Sequence, residues 1–270
     1  MWSPERPVWY VGLAAHQVVR VRSRGVWPLR TSDLDSISWT ASAEDSLWHE
    51  AVQALAKWLN SESASRPIVR VMLSGSLVRW QMLPWRAELT RRQELVAYAR
   101  LRYIETFGSD AEQWRLMLGL QAPGCATPAC AVDETLMQSL QTVCREAGAR
   151  LDRVVPYFGS AVDYWRKAWG NDTAWFGLIE SDWLSLGLSR AGALQALRGQ
   201  RLDGDWGMVL SGLMARMGVA AGDEASASAK VYLAGHRKPQ IGDAEPPYAW
   251  LPAVDKGVET TGLRRLALGW

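Results

Sequence analysis

The spacing of apolar residues at the start of the chain predicts three consecutive β-strands and then a helix. Apolar and β-branched residues cluster in strand-length runs over 8–13, 17–21 and 36–39, with connections of turn-forming residues. Three such strands with short links are typical of an antiparallel meander. A helix is predicted over 46–60, because apolar residues recur there at i, i+4, i+7 and i+11: Trp48, Val52, Leu55 and Leu59.

The middle of the chain alternates further strand and helix patterns. Ser74-Gly75-Ser76 predicts a β-turn between two strands, and the serine there lacks the strand-to-helix setting of a nucleophile. Gly148 follows the last periodic residue of one helical stretch and predicts its end. The predicted strands are 68–72, 77–82, 114–120, 129–132 and 151–155, and the predicted helices are 90–107 and 134–147.

A second cycle of the same element order begins after Gly170-Asn171-Asp172. The predicted elements are strands over 174–179, 183–188 and 193–197, a helix over 206–217 and a strand over 231–234, with loops over 220–229 and 238–247. The order βββαβ therefore occurs twice, as a repeat of elements rather than of sequence. We expect a first domain over 1–169 and a second over 170–270, whose C-terminal helix returns to the first.

Composition excludes several classes of protein. The 270 residues carry 30 Lys and Arg against 28 Asp and Glu, so neither a polycationic nucleic-acid tail nor a disordered acidic chain fits, and no nucleic-acid partner is expected. No run approaches the roughly 18 to 20 apolar residues of a spanning helix, and the start lacks a signal-peptide pattern. We expect a cytoplasmic protein.

The cysteines and histidines do not form a metal motif. Cys125, Cys130 and Cys144 are few and odd in number, which favours reduced thiols. The three histidines are scattered along the chain, so the cysteines lack the further ligands that zinc needs.

Tryptophan is the unusual residue of the composition, with 16 Trp beside 7 Tyr and 3 Phe. Four of them lie within predicted strands or helices and are expected in the core: Trp39, Trp48, Trp58 and Trp175. Four others bracket the Leu83-Pro84 turn or the domain boundary and are candidates to line a groove between domains: Trp80, Trp85, Trp165 and Trp169. Trp250 and Trp270 are candidate docking or dimer contacts.

Arginines are concentrated around one predicted helix. Between 79 and 102 two acids, Glu88 and Glu94, accompany six arginines, which are Arg79, Arg86, Arg91, Arg92, Arg100 and Arg102. Helical spacing predicts an i, i+4 pair between Glu88 and Arg92. A solvated helix face is the favoured interpretation, and attraction of anionic lipid or an acidic partner through residues such as Arg91 and Arg92 is the alternative.

Four short segments carry a family resemblance. They are Val11-Gly12-Leu13-Ala14-Ala15 with the strand over 16–22, Leu83-Pro84-Trp85 with the helix after it, Cys130-Ala131-Val132 with Glu146-Ala147-Gly148-Ala149, and Thr261-Gly262-Leu263 with Ala267-Leu268. These resemble the type IV pilus assembly protein PilM and the cytoplasmic domain of the type II secretion protein L. The resemblance implies an α/β, actin-like fold of two RNase H-like βββαβ subdomains.

The resemblance also implies where a nucleotide would bind, and the residues there depart from that chemistry. Ala14 stands where the family has an aspartate, and the glycine expected after it is replaced by Ala15. The second turn keeps Glu180 and Asp182 without its glycine, and the adenosine loop keeps one glycine, Gly235. Residues 198–205 are too few to hold the subdomain that covers the nucleotide, so the second domain is reduced. We expect a degenerate site, built around Gly12 at its first turn, without ATP or Mg²⁺. For Glu180 and Asp182 a solvated turn is favoured over a catalytic carboxylate pair.

The predicted function is a non-catalytic cytoplasmic scaffold at the inner-membrane platform of a type IV pilus or type II secretion system. The resemblance implies a partner with a cytoplasmic N-terminal peptide and a single membrane span, captured in the aromatic groove. A secretion ATPase as a second partner, and a homodimer, are further expectations. One alternative is an active actin-like ATPase or small-molecule kinase, and another is a carbohydrate-binding module that would need its tryptophans exposed on one face.

Overall fold

A computed structural model describes residues 6–24, 30–39, 48–62, 65–119, 122–221, 228–236, 248–252, 254–255, 258–259 and 262–269. Within those residues no helix is long and apolar enough to cross a membrane. The predicted loops over 220–229 and 238–247 lie largely outside the described residues, and so does Trp270.

The first sheet has five strands in the order β3-β2-β1-β4-β8. Strands β1 (Val8–Ala14), β2 (Gln17–Arg24) and β3 (Arg30–Ser38) form the predicted antiparallel meander. Strand β4 (Ile68–Leu73) then pairs in parallel with β1, and β8 (Arg150–Pro156) pairs in parallel with β4. Helices α1 (His49–Ser61) and α3 (Glu134–Glu146) bury their apolar sides in one core with this sheet.

The second sheet repeats this plan in the order β11-β10-β9-β12-β13. Its meander consists of β9 (Ala174–Ile179), β10 (Trp183–Arg190) and β11 (Ala193–Arg201), and its parallel strands are β12 (Lys230–Gly235) and β13 (Tyr248–Trp250). All six residues of β9 are buried, as expected of a central strand covered on both faces. Helix α5 (Trp206–Ala221) packs on one face.

A smaller sheet is inserted between β4 and α3 of the first half. It has the order β5-β7-β6, from β5 (Arg79–Leu83), β6 (Trp114–Leu118) and β7 (Thr127–Asp133). Helix α2 (Arg92–Phe107) covers it and buries Tyr103, whose hydroxyl donates to the carbonyl of Arg79 or of Ala129 at 2.9 Å. We call β5, α2, β6 and β7 the inserted domain.

Two helices lie in the core between the main sheets. Helix α4 (Tyr157–Trp165) and the C-terminal helix α6 (Gly262–Leu268) share a buried cluster with β1, β2 and β9. Helix α6 therefore packs against strands of the first sheet. A short hairpin of β14 (Val254–Asp255) and β15 (Val258–Glu259) precedes it.

The duplicated order of elements is confirmed, and several details are corrected. Helix α4 is absent from the sequence prediction, and β3 begins well before residue 36. The turn at Ser74 is a 3₁₀ turn over Gly75–Leu77 rather than a β-turn. The predicted Glu88–Arg92 helical pair is wrong, because α2 begins at Arg92 and Glu94 instead accepts from the N–H of Arg91 at 3.0 Å.

Burial of the tryptophans follows the core prediction in part. Trp175 is buried, whereas Trp39, Trp48 and Trp58 are partly buried against the first core. Trp250 is partly buried against the core of the second sheet. Most of these rings are packed inside the protein. The described residues therefore do not form the exposed face of tryptophans that a carbohydrate-binding module needs.

Candidate functional site

Equivalent turns of the two sheets meet at the cleft between them. The β1–β2 turn follows Ala14, the β9–β10 turn spans 180–182, and β12 ends at Gly235 beside β9. The 3₁₀ turn after β4 completes the cleft. These are the positions of the predicted nucleotide site, so the fold brings all of its segments together.

Glu180 is the acidic residue at the centre of this cleft, and its side chain is buried rather than solvated. The residue is 3% exposed, and its Oε1 accepts a hydrogen bond of 2.9 Å from the backbone N–H of Gly75. The prediction of a solvated turn is therefore wrong for Glu180. Burial raises the pKa of Glu180 to about 8. The nearby Asp182 adds a smaller increase, and the hydrogen bond from Gly75 opposes it. The carboxyl is therefore largely protonated at neutral pH.

A second contact joins the two turns near the surface. Nε2 of His16, in the β1–β2 turn, lies 3.6 Å from a carboxylate oxygen of Asp182 in the β9–β10 turn. Both side chains are partly exposed, so this pair adds little stability, but it places the two turns directly against each other.

Trp183 fills the space beside the 3₁₀ turn. A Cβ atom on Gly75 would lie 2.3 Å from Cδ1 of the indole, and one on Gly199 would lie 2.7 Å from its Nε1. Real Cβ atoms essentially never come that close, so a larger residue at Gly75 or Gly199 would force the indole to shift. Gly75 and Trp183 were not predicted as site residues, because a glycine between two serines and an aromatic residue after a turn are too common to indicate a site.

Helix α6 occupies the space in front of the first turn. A Cβ atom on Gly12 would lie 2.5 Å from Cγ of Leu266 and 3.0 Å from the backbone N of Ala267. The close approach that glycine allows at this position is therefore made by the protein's own C-terminal helix.

The end of β12 is closed in the same way. Gly235 has φ of +145°, and a Cβ atom there would lie 1.9 Å from the carbonyl oxygen of Ile179 on the neighbouring strand. The carbonyl of Gly235 accepts from Nη1 of Arg265 at 2.8 Å, a buried hydrogen bond from α6. Gly235 is thus fixed by one neighbouring strand and by one helix.

Titratable side chains line the same region and are held mostly neutral by burial. Burial and the nearby Arg265 lower the pKa of His236 to about 4, and its ring stacks on Tyr157 with centroids 6.0 Å apart. Burial also raises the pKa of the Tyr157 hydroxyl well above its usual value. Tyr157, His236 and Arg265 carried no sequence signal, because they come together only in the fold.

The arrangement departs from a phosphate site in two respects. The second turn brings a buried carboxyl group, that of Glu180, and the first turn offers Mg²⁺ the methyl groups of Ala14 and Ala15 instead of a carboxylate. Backbone N–H groups that attract phosphate are used internally, as at Gly75. The residues present therefore do not match the donor set for a magnesium nucleotide.

A second candidate site is a cavity of about 430 Å³ at the junction of the inserted domain with both sheets. Trp80 meets Phe158 edge-on with centroids 6.0 Å apart, and Trp169 lies 5.1 Å from Phe176. Further apolar walls come from β6, β8 and β11, and Asp163 and Arg166 supply charge. We call this space the aromatic cavity.

The structure does not bring the four groove tryptophans together. Trp80 and Trp169 line the aromatic cavity, with Trp169 5% exposed, whereas Trp165 packs outside it on Tyr164. Trp85 is 48% exposed on the loop before α2, near the exposed Arg91 and Arg92 in sequence. The prediction of one groove lined by all four is corrected to one cavity and a separate exposed tryptophan.

The other arginines of this region have structural partners. Nη1 of Arg100 donates to the carbonyls of Ala111 and Trp114, and Arg79 lies over the ring of Trp114 at 4.3 Å. Arg102 pairs with Glu105 one turn along α2. Part of the predicted basic surface is therefore used inside the inserted domain.

No protein-family model and no curated protein sequence matches the chain. Among solved structures, the chain is similar to the cytoplasmic domain of EpsL, an inner membrane component of the type II secretion system of Vibrio cholerae. The TM-score is 0.62 at 13% identity, over 97% of this chain and 93% of that one.

Two further structures share the fold. One belongs to the PilM–PilN type IV pilus biogenesis complex, with a TM-score of 0.56 at 15% identity over 86% of this chain and 82% of that one. The other is a protein of unknown function from Bacteroides thetaiotaomicron, described as having an actin-like ATPase fold, with a TM-score of 0.53 at 13% identity over 89% and 84%. The duplicated sheets, the turns that meet between them and these three likenesses together identify the fold of this chain as actin-like, in a form with a reduced second half.

Proposed function

We propose that the chain is a non-catalytic scaffold of a type II secretion or type IV pilus assembly platform at the cytoplasmic face of an inner membrane. Its partner would be the cytoplasmic segment of a protein with a single membrane span. The fold shared with the EpsL cytoplasmic domain and with a PilM–PilN chain supports the class of assembly. A secretion ATPase and a second copy of the chain remain further predicted partners.

The observation that carries the proposal is the closed cleft. The carboxyl group of Glu180 accepts a hydrogen bond from Gly75, the ring of Trp183 fills the space beside Gly75, and helix α6 packs against Gly12. Side chains of the protein thus hold together two halves that a nucleotide would otherwise bridge. A scaffold requires such a fixed shape, whereas an ATPase needs an open site with an acid for the metal.

The aromatic cavity is the proposed partner site. Its walls are mainly apolar, and Asp163 and Arg166 offer one charge of each sign. A cavity of about 430 Å³ is large enough for one or two bulky apolar side chains of a peptide, with the charged pair fixing its direction. Trp85, Arg91 and Arg92 are exposed and would extend the contact on the inserted domain.

The test is a charge placed in the cavity wall. We expect Val162→Glu, and separately Leu118→Glu, to weaken binding at least tenfold, because an apolar side chain entering the cavity would bury a carboxylate. The measurement is fluorescence anisotropy with labelled peptides tiled over the cytoplasmic segments of single-span membrane proteins encoded beside this chain. Trp85→Ala is expected to weaken the same peptide less.

The matched control is Leu101→Glu, which makes the same kind of change on α2 at a residue 55% exposed. This variant should bind like the unmodified chain. A peptide that binds equally to Val162→Glu and Leu118→Glu would contradict the assignment of the cavity, and the absence of any binding peptide would contradict the proposed function.

A further inference from the structure

Helix α5 of the second half is apolar on its exposed side as well as on its buried side. Leu210, Leu213 and Met217 lie in the core of the second sheet, as expected of the inner face of a surface helix. The outer face of such a helix normally carries charged residues. Arg216 is the only charged residue over 206–221. The composition of α5 is therefore typical of a helix that is covered on both sides.

The exposed apolar residues of α5 form one stripe. Met208 is 76% exposed and Val219 is 83% exposed, more than any other large apolar side chain among the described residues. With Gly212 and Ala215 they stand at i, i+4, i+7 and i+11, which places all four on one face. We call these four residues the α5 stripe. Gly212 has no side chain, so the middle of the stripe allows a second backbone to approach closely.

The charges beside the α5 stripe complement those of a second copy of the helix. Asp205 caps the start of α5, where its Oδ1 accepts from the backbone N–H of Gly207 at 2.7 Å. Arg216 follows eleven residues later, almost three whole turns, so both charges lie on the same flank of the stripe. Equal flanks meet when two identical helices pack antiparallel about Gly212. Asp205 of each copy would then lie within one turn of Arg216 of the other.

We propose that α5 forms an interface between two copies of this chain, packed antiparallel with Gly212 at the crossing point. Met208 of each copy would pack near Val219 of the other, and two Asp205–Arg216 pairs would flank the contact. The antiparallel direction also places opposite ends of the two helix dipoles side by side. The inference goes beyond the proposed function, because it gives the predicted second copy a surface and does not depend on the aromatic cavity.

A second copy is favoured over a lipid surface by the charges of this region. Helices that lie on membranes carry several Lys and Arg beside their apolar face. Helix α5 has one arginine and is preceded by two acids, Asp203 and Asp205. An anionic layer of headgroups would repel both carboxylates.

Sedimentation velocity of the full chain tests the association. A helix of 16 residues is about 24 Å long, a small contact for an interface, so we expect a weak dimer with a Kd of roughly 10 to 100 µM. Met208→Glu with Val219→Glu should stay monomeric up to about 500 µM, because the contact would bury four carboxylates. The matched control is Trp85→Glu with Leu101→Glu, at residues 48% and 55% exposed on the inserted domain, and it should dimerise normally.

Cysteine cross-linking tests the antiparallel geometry. A disulfide needs Cα atoms within about 4.4 to 6.8 Å, so Gly212→Cys at the crossing point should join two copies under mild oxidation. Met208→Cys should cross-link at least tenfold more slowly, because its two copies would be about 12 Å apart along the helices. Both are made in a Cys125→Ser chain, since Cys130 and Cys144 are buried and Cys125 is only partly so.

Three results would overturn the proposal. The first is a chain that stays monomeric at all concentrations; flotation with phosphatidylglycerol vesicles, lost in the Met208→Glu, Val219→Glu chain, would then assign the stripe to a lipid surface. The second is a dimer that this variant leaves intact, which would place the interface elsewhere. The third is equal cross-linking at Gly212 and Met208, which would indicate a parallel pair. The Met208→Glu, Val219→Glu chain should bind the aromatic-cavity peptide normally, so failure of the dimer is distinguishable from failure of the proposed function.

Discussion

Replacing Gly235 by alanine should destabilise the folded chain by at least about 3 kcal/mol. The backbone has φ of +145°, which side chains with a Cβ rarely adopt, and the new atom would lie 1.9 Å from the carbonyl oxygen of Ile179. The clash is with backbone, so no rotamer change relieves it. The midpoint and slope of urea unfolding measure the loss.

The matched control is Gly212→Ala in helix α5. Its Cβ would have 3.4 Å to Nη1 of Arg216, and alanine is favoured over glycine in a helix by about 1 kcal/mol, so this chain should be equally or more stable. If Gly235→Ala unfolds at the same urea concentration as the unmodified chain, the glycine is not required by the protein's own packing. Its presence would then have to be explained by a ligand.

Replacing Glu180 by glutamine should stabilise the chain at alkaline pH and leave it unchanged at acidic pH. The buried carboxyl has a pKa raised to about 8, whereas an unfolded glutamate ionises near pH 4.5. Between these values the folded state binds one proton more than the unfolded state, so stability falls as pH rises and the loss is complete above about pH 8. Glutamine still accepts from Gly75 and cannot ionise.

The difference in unfolding free energy between the Glu180→Gln chain and the unmodified chain should therefore be near zero at about pH 4 and grow to at most about 5 kcal/mol at pH 8 to 9. His236, with its pKa lowered to about 4, has the opposite effect of raising stability up to about pH 6.5. Since both chains contain His236, its contribution cancels in the difference. A difference that does not change with pH would contradict the burial of an ionisable Glu180 in the cleft.

The duplicated fold could be predicted because most of its strands and helices carry their own local pattern. Strand β9 is a continuous apolar run, and α1 shows apolar residues at helical spacing. Helix α4 was not predicted because it is only nine residues long, follows Pro156 directly and carries Gly159 in its first turn. Strand β13 was not predicted because it is only three residues long.

The position of the candidate site could be predicted from the sequence, but the side-chain contacts within it could not. The turns around Ala14 and Glu180 were predicted from the family resemblance, which places them after the first strand of each repeat. The hydrogen bond between Glu180 and Gly75 spans 105 residues, and no local pattern encodes it. A charged residue after a strand is usually solvated, and the burial of Glu180 against Gly75 arises only in the tertiary fold.

The central claim is that the protein's own side chains replace a nucleotide in the cleft between the two sheets. Thermal unfolding of the full chain with millimolar ATP and Mg²⁺ tests it most directly, because a ligand present at 100 times its Kd adds about 2.7 kcal/mol of stability and moves the midpoint by several degrees. We predict the same midpoint with and without ATP and Mg²⁺. A rise that saturates with ATP and disappears without Mg²⁺ would contradict the claim.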